Sequence, residues 1–432
     1  MVGSSTLWRG LRLLDPLNDL DQEGDLWIEQ GVIRYVGKAV ERIPAATTVV
    51  EARGWVAGPG LIDLYAQSGE PGFEQRETLA SLAAAARAGG YTQVALLPST
   101  HPVLDQREQL DRYPQKVGDP HWLPLMALTL GGQGEQLSEL GSLATSPGVA
   151  FCQDNPGLSL VLLQRVLEYL QPFQKPLLIW AWDPRLAAGG GLFEGDWALR
   201  LGVKGIPATA ETTQVASVLE LLRRIPTPIH LMRISQSRSL ELIAQAQQAG
   251  IPVTASTSWM HLLHSEADIW DHHYHPALRV QPPLTSLPQQ QALISGIAQG
   301  ILTAIASDHH PYTFEEKMLA FADAPPGAIG LELVLPLLWN HLVTRQQLTP
   351  LQLWKALSVG SATCLGLPPP HLQVDTPANL VLFDPEYAWQ LTPETLHSRS
   401  QATCWLHQSM RGRVMGAWID GVWGDPYGDE RG

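Results

Sequence analysis

Few positions in this sequence combine residue types and spacing that do chemistry, and most of them sit where an apolar run gives out. Asp308, His309 and His310 close the run 301–308. A carboxylate beside imidazoles can hold a cation or relay a proton. Gln153 and Asp154 close the run 148–154, and Arg233 falls near the end of 228–235. Its guanidinium is a permanent cation suited to a carboxylate such as Asp308 or Asp154. Tyr65 and Gln67, two apart at the end of 56–67, share one face of a strand. Trp180 lies inside 176–183. Three louder features have bland readings. His272, His273 and His275 crowd the stretch 271–275, but they lack helical i, i+4 spacing and read as a solvated loop. Cys152 has no identifiable base beside it and reads as a buried apolar thiol. Gly189 to Gly191 lie in no strand-to-helix turn, so a flexible loop is favoured over a phosphate cradle.

The elements that must position these residues follow from pattern. Eight apolar runs stand at 56–67, 91–98, 123–130, 148–154, 176–183, 228–235, 251–257 and 301–308. Amphipathic stretches such as 76–89 and 237–250 separate them, with glycine before the next run. This alternation predicts an α/β fold, a TIM-like (β/α)8 barrel. A doubly wound open sheet is the runner-up, and no GxGxxG opens a helix after the first strand to support dinucleotide binding. On a barrel, chemistry collects at the carboxyl ends of the strands, which is where the residues above fall. Residues 1–54 and 371–432 read instead as short strands with turns, as at Gln30-Gly31. They predict one small β subdomain built from both ends, around a barrel at 55–370.

Bulk properties set further limits. A chain of 432 residues buries a large core without disulfides or a structural metal. With 45% hydrophobic and 16% charged residues it is globular, not disordered. The net charge of -14 repels nucleic-acid phosphates and anionic lipid, so neither is an expected partner. Cys152, Cys364 and Cys404 are too scattered for a disulfide framework or a thiolate zinc site. The opening stretch lacks a signal-peptide core and no run approaches a membrane span, so the cytoplasm is the expected compartment.

Several segments, in the right order along nearly the whole chain, resemble the dihydroorotase family of the amidohydrolase superfamily. GPGLIDLYAQSGEPGFEQRET (58–78) is similar to that family's GLIDxHxHxREPG segment. LLPSTHPVLD (96–105) resembles MPNTxPxxD, and RVQPPLTS (279–286) resembles the NPPLR segment. AIASDHHPYTFEEK (304–317) and PPGAIGLE (325–332) resemble DHAPHxxxEK and GxxGLE. So many ordered matches imply shared ancestry and fold, while function still rests on the site.

The resemblance implies a zinc centre that activates a water against a cyclic amide. It also says where the ligands belong, and this chain departs there. The two histidines of the first strand fall on Tyr65 and Gln67. Those of the fifth and sixth strands fall on Trp180 and Arg233. Indole nitrogen is only a donor, and a guanidinium has no lone pair to give and repels a dication. The bridging acid falls on Asp154 or its neighbour Gln153, and the register stays open. Asp308 matches the family's last acid, ligand and proton shuttle, and is retained. At substrate-contacting positions Gly69 replaces an arginine, Ser99 and Gln281 each an asparagine, Thr285 an arginine and Tyr312 a histidine. One or two carboxylates leave zinc short of ligands, so no metal and no ordinary dihydroorotase activity are expected.

Two readings of the replacements stand. Tyr65, Gln67, Trp180 and Arg233 fill the barrel mouth, which is favoured, or they bind a new anionic or aromatic ligand. The resemblance implies a noncatalytic relative, a structural or regulatory partner of aspartate transcarbamoylase that self-associates. A divergent cyclic-amide hydrolase or ligand-binding barrel, and an active dihydroorotase with altered metal use, are the alternatives.

Overall fold

Tight turns build the two ends of the chain. Gln30 (φ 49°) and Gly31 (φ 76°) are both left-handed and join the antiparallel strands Leu20–Glu29 and Val32–Gly37. Asp420 and Gly421 repeat the device between Ser409–Ile419 and Val422–Gly424. Two consecutive positive φ values match the twist of a two-residue hairpin. The two turns abut: a Cβ added at Gly31 would lie 2.2 Å from the carbonyl oxygen of Gly421. The computed structural model describes residues 5–40 and 42–427. The outermost residues of the expected β subdomain, 1–4 and 428–432, lie outside them.

These hairpins belong to one eight-stranded sheet. Its order is Val422–Gly424, Ser409–Ile419, Leu380–Gln390, Val56–Pro59, Ser5–Asp15, Leu20–Glu29, Val32–Gly37, with Thr48–Glu51 also pairing to Ser5–Asp15. Leu11 and Leu13 pack with Leu380, Leu382 and Trp418 beneath it. Trp8 meets Trp418 edge to face at 4.9 Å.

The middle of the chain alternates parallel strands and helices. Leu61–Ala66, Tyr91–Leu96 and His121–Pro124 form a parallel three-stranded sheet. Met126–Ala127, Phe151–Gln153, Leu177–Ile179, Ile229–Leu231, Val253–Ser258 and Ala304–Ala306 form a parallel six-stranded one. The chain steps from one to the other at Leu125, whose N–H donates to Leu96 O at 3.0 Å. At the opposite edges Ala66 and His309 form a parallel bridge, and Ser307 donates from N and Oγ to the buried Asp63 at 2.8 and 2.7 Å. Leu61–Ala66 is buried at every residue, as strands covered on both faces are.

Leu79–Ala88 is a helix because Thr78 caps it in a box with Ser81 and Gly89-Gly90 ends it. Ser237–Gln248 buries Leu240, Ile243 and Ala246, the spacing of one helical face. The parallel strands are shorter than their apolar runs. The run 56–67 splits at Gly60, and its first half joins the terminal sheet. Arg233 (φ 56°) and Asp308 (φ 44°) are left-handed and lie just beyond the ends of Ile229–Leu231 and Ala304–Ala306. Among the described residues no helix is long and apolar enough to cross a membrane.

Candidate functional site

The left-handed turns at Arg233 and Asp308 aim both side chains into a cavity of about 210 Å³ at the carboxyl ends of the strands. There they grip each other. Arg233 Nε donates to both carboxylate oxygens of Asp308 at 3.1 Å, and Nη2 donates to Oδ1 at 2.8 Å. Both side chains are at most a tenth exposed. Burial opposes the charge on each, and each partner outweighs it. Asp308 is held well below the usual carboxylate range and Arg233 above the usual guanidinium value. The remaining guanidinium nitrogen donates to the backbone oxygen of Asp154 at 3.4 Å.

Aromatic rings box in this pair. Arg233 Cζ lies 5.1 Å from the Trp180 ring centre and 5.6 Å from that of Tyr65. Trp180 stacks on Trp182 at 5.5 Å, and its Nε1 is buried with no hydrogen-bond partner. Tyr65 is fully buried; its hydroxyl bonds Ser256 Oγ at 3.0 Å and accepts from Arg233 N at 3.3 Å. Burial pushes its phenol further up, so it stays protonated.

The other positions separate into those that line the cavity and those that do not. Gln67, Ser99, Asp154, Gln281, His310 and Tyr312 line it. Gln67 Oε1 is buried without a partner. Gln153 is turned away: its amide donates to Gly132 O and Asn155 O, and its Oε1 accepts from Thr129 Oγ1 at 2.9 Å. Asp154, not Gln153, therefore presents its residue to the cavity. Thr285 is buried outside the lining, its Oγ1 unpartnered. Tyr312 donates its hydroxyl to Pro326 O at 3.2 Å. Gly69 has no room for any side chain: a Cβ there would lie 2.1 Å from Glu77 O and 2.5 Å from Phe73 O.

The bland features resolve individually. Cys152 is buried, and burial drives its thiol well above the ordinary value. Gly191 O accepts from Arg279 Nη1 at 3.0 Å, which ties that glycine loop down. His273 is exposed, His275 Nδ1 accepts from Ala277 N, and His272 packs edge-on against His264 at 5.4 Å. His309 turns away from the cavity. Its Nδ1 accepts from Gly330 N at 3.1 Å, which leaves Nε2–H directed at Glu77 Oε2, 3.4 Å away. Glu77 also accepts from Ser81, Ser398 and Arg399 N. Sequence reasoning missed this fully buried carboxylate, whose partners other than Ser81 lie hundreds of residues away. Its only signal was an acid next to a capping threonine.

Comparisons with known proteins bear on the fold and the family. Solved hydantoinases share the fold. An L-hydantoinase (dihydropyrimidinase) from Arthrobacter aurescens superposes with a TM-score of 0.82 at 20% identity, over 97% of this chain and 95% of that one. A D-hydantoinase from Thermus sp. gives 0.79 at 20% identity, over 97% and 94%. At that identity the likeness is one of fold. In sequence, the family described as Dihydro-orotase-like matches residues 54–237. A probable dihydroorotase-like protein of Synechocystis sp. is 39% identical over 94% of this chain and 98% of its own length. A dihydroorotase-like protein of Pseudomonas aeruginosa is 38% identical over 96% and 97%. A dihydroorotase of Pelobacter propionicus is 34% identical over 95% and 97%. This chain belongs to the dihydroorotase family, within the amidohydrolase superfamily.

Proposed function

We propose that this protein is a noncatalytic dihydroorotase relative that acts by association, with aspartate transcarbamoylase as its partner and with self-association. One observation carries the first half. The retained acid, Asp308, is paired with Arg233, with His310 Nδ1 3.4 Å from its Oδ1, and Arg233 stands where a zinc-binding imidazole belongs. A guanidinium at 2.8 Å from that carboxylate occupies the ligand and opposes a dication. Tyr65, protonated and spent on Ser256, and Trp180, donor only, complete a set that does not fit zinc. Gly69, with no space for the arginine that would hold a substrate carboxylate, supports the same reading.

The scaffold reading that goes with it is a closed (β/α)8 barrel at 55–370. The bridge between Ala66 and His309 and the crossing at Leu125 support closure. The eight-stranded sheet supports a β subdomain made from 1–54 and 371–432. A second reading, a ligand-binding barrel, draws on Trp180 Nε1 and Gln67 Oε1, two buried polar atoms without partners.

The test is a dihydroorotase assay in both directions on the full chain, alone and with added Zn²⁺. No turnover under any condition is expected, and zinc-dependent turnover overturns the proposal in favour of altered metal use. Isolation from the native cell then tests association. Recovery with aspartate transcarbamoylase is the expected result, and recovery as a lone chain refutes the partnership.

A further inference from the structure

Away from the strand-end cavity, three side chains converge in a way the proposed function does not use. Ligand atoms of His264, Asp268 and His272 all lie within 4.8 Å of one another. The residues are spaced i, i+4, i+8. His264 ends the helix Trp259–Leu263, Asp268 opens the helix Asp268–Asp271, and His272 follows it. None of them lines the cavity.

The details are those of prepared ligands. His264 is buried, and its Nδ1 has no hydrogen-bond partner. That nitrogen stands 3.7 Å from Asp268 Oδ1, too far for a hydrogen bond. Two donors bonded to zinc at 2.0–2.2 Å lie about 3.3–3.6 Å apart in a tetrahedral set, close to this separation. The other oxygen of Asp268 is committed: Oδ2 accepts from Ser265 N at 2.7 Å and Ser265 Oγ at 2.8 Å. Oδ1 is thereby left facing the imidazoles. On the far side of His264, Nε2 lies 3.6 Å from Cys404 Sγ and the ring packs on Trp405 at 4.9 Å. With Nε2–H given to the sulfur, Nδ1 keeps its lone pair toward the other two groups. Outer partners that fix a ligand's tautomer and orientation are the usual support of a metal site. Asp268 and His272 are half-exposed, which leaves a side open to water.

We propose that His264, Asp268 and His272 bind one divalent transition ion of the zinc class, with water completing the shell. Two imidazoles and a carboxylate suit Zn²⁺, Ni²⁺ or Co²⁺ rather than Mg²⁺ or Ca²⁺, which take oxygen ligands. The ion clasps 264–272, and through His264 it is tied to the packing of Cys404 and Trp405. The site is independent of the family's catalytic centre, so metal found in the purified protein does not by itself signal hydrolase chemistry.

The test uses the full chain, stripped with a chelator and titrated with Zn²⁺ against a chromophoric competitor, and with Co²⁺ for its visible absorption. One equivalent is expected to bind and to raise Tm. His272→Ala, at a half-exposed position, should abolish binding and the Tm shift without unfolding the chain, checked by circular dichroism. Ser265→Ala, which frees only the orienting bonds on Asp268, should weaken affinity by about 10–100-fold. Asp154→Asn in the cavity should change nothing. No stoichiometric binding overturns the proposal and leaves an ion pair only. An equivalent that survives His272→Ala but is lost in Asp154→Asn also overturns it, and would count against the noncatalytic reading as well.

Discussion

Removing the carboxylate of Asp308 tests what the buried ion pair does. Asp308→Asn is a clean perturbation because asparagine tolerates the left-handed backbone at φ 44°. It deletes a charge and keeps the shape. The guanidinium of Arg233, 6% exposed, then keeps one neutral acceptor in place of a carboxylate that met three N–O contacts between 2.8 and 3.1 Å. Leaving a buried charge without its partner costs about 3–5 kcal/mol. The retained amide oxygen places the expected loss near the lower end, about 3 kcal/mol. Urea unfolding followed by tryptophan fluorescence reads it as a fall in midpoint at unchanged slope. Arg233→Met added to Asp308→Asn should recover much of the loss, since the stranded charge is gone. Acid should mimic the substitution. Burial opposes ionisation of Asp308 but Arg233 outweighs it, so the pair's contribution is full above the ordinary carboxylate pKa and lost as pH falls below it. An Asp308→Asn variant within about 0.5 kcal/mol of the parent, or more stable than it, refutes the argument. Increased stability would be the behaviour of a functional acid held under strain.

Three further outcomes follow from the same geometry. Gly69→Ala should destabilise by about 1–3 kcal/mol in the same assay, because the new methyl meets two backbone oxygens. Trp180→Phe should cost less than about 1.5 kcal/mol, since the indole N–H bonds nothing, while Trp180→Ala should cost about 3–5 kcal/mol. Equal losses would mean that the N–H has a partner. Burial raises Asp63 from 3.8 to about 7, even though Ser307 bonds it. Its folded value lies above its unfolded one, so its contribution is full below pH 3.8 and lost as pH rises through about 7. Asp63→Asn should flatten that slope in unfolding midpoints measured across the interval.

What the sequence disclosed depended on the range of the physics. Strand runs, capped helices and the Gln30-Gly31 turn are written in neighbouring residues, and they appear near where periodicity placed them, but the strands are shorter and the runs 56–67 and 123–130 are each divided between two sheets. The pairing of Arg233 with Asp308 was foreseeable from charge at two strand ends. Its depth was not, because the left-handed backbone at both residues comes from packing, with no glycine to announce it. Gly69 looked like a lost arginine; only the carbonyls of Phe73 and Glu77 show that the backbone itself has closed over the position. The His264, Asp268, His272 spacing stood in the sequence, masked by the denser histidines beside it. The choice between Gln153 and Asp154 turned on which side a three-residue strand releases its last side chain.

The terminal sheet also sets a timetable. Val56–Pro59 pairs on one side with Ser5–Asp15 and on the other with Leu380–Gln390. The second partner is made more than three hundred residues later. At synthesis rates of roughly 5–20 residues per second, that strand waits between about a quarter of a minute and a minute with one edge unpaired. An open edge is where a nascent chain joins the wrong neighbour. Slowing translation across the middle of the gene should therefore lower soluble yield, and supplying the C-terminal segment in trans should recover it.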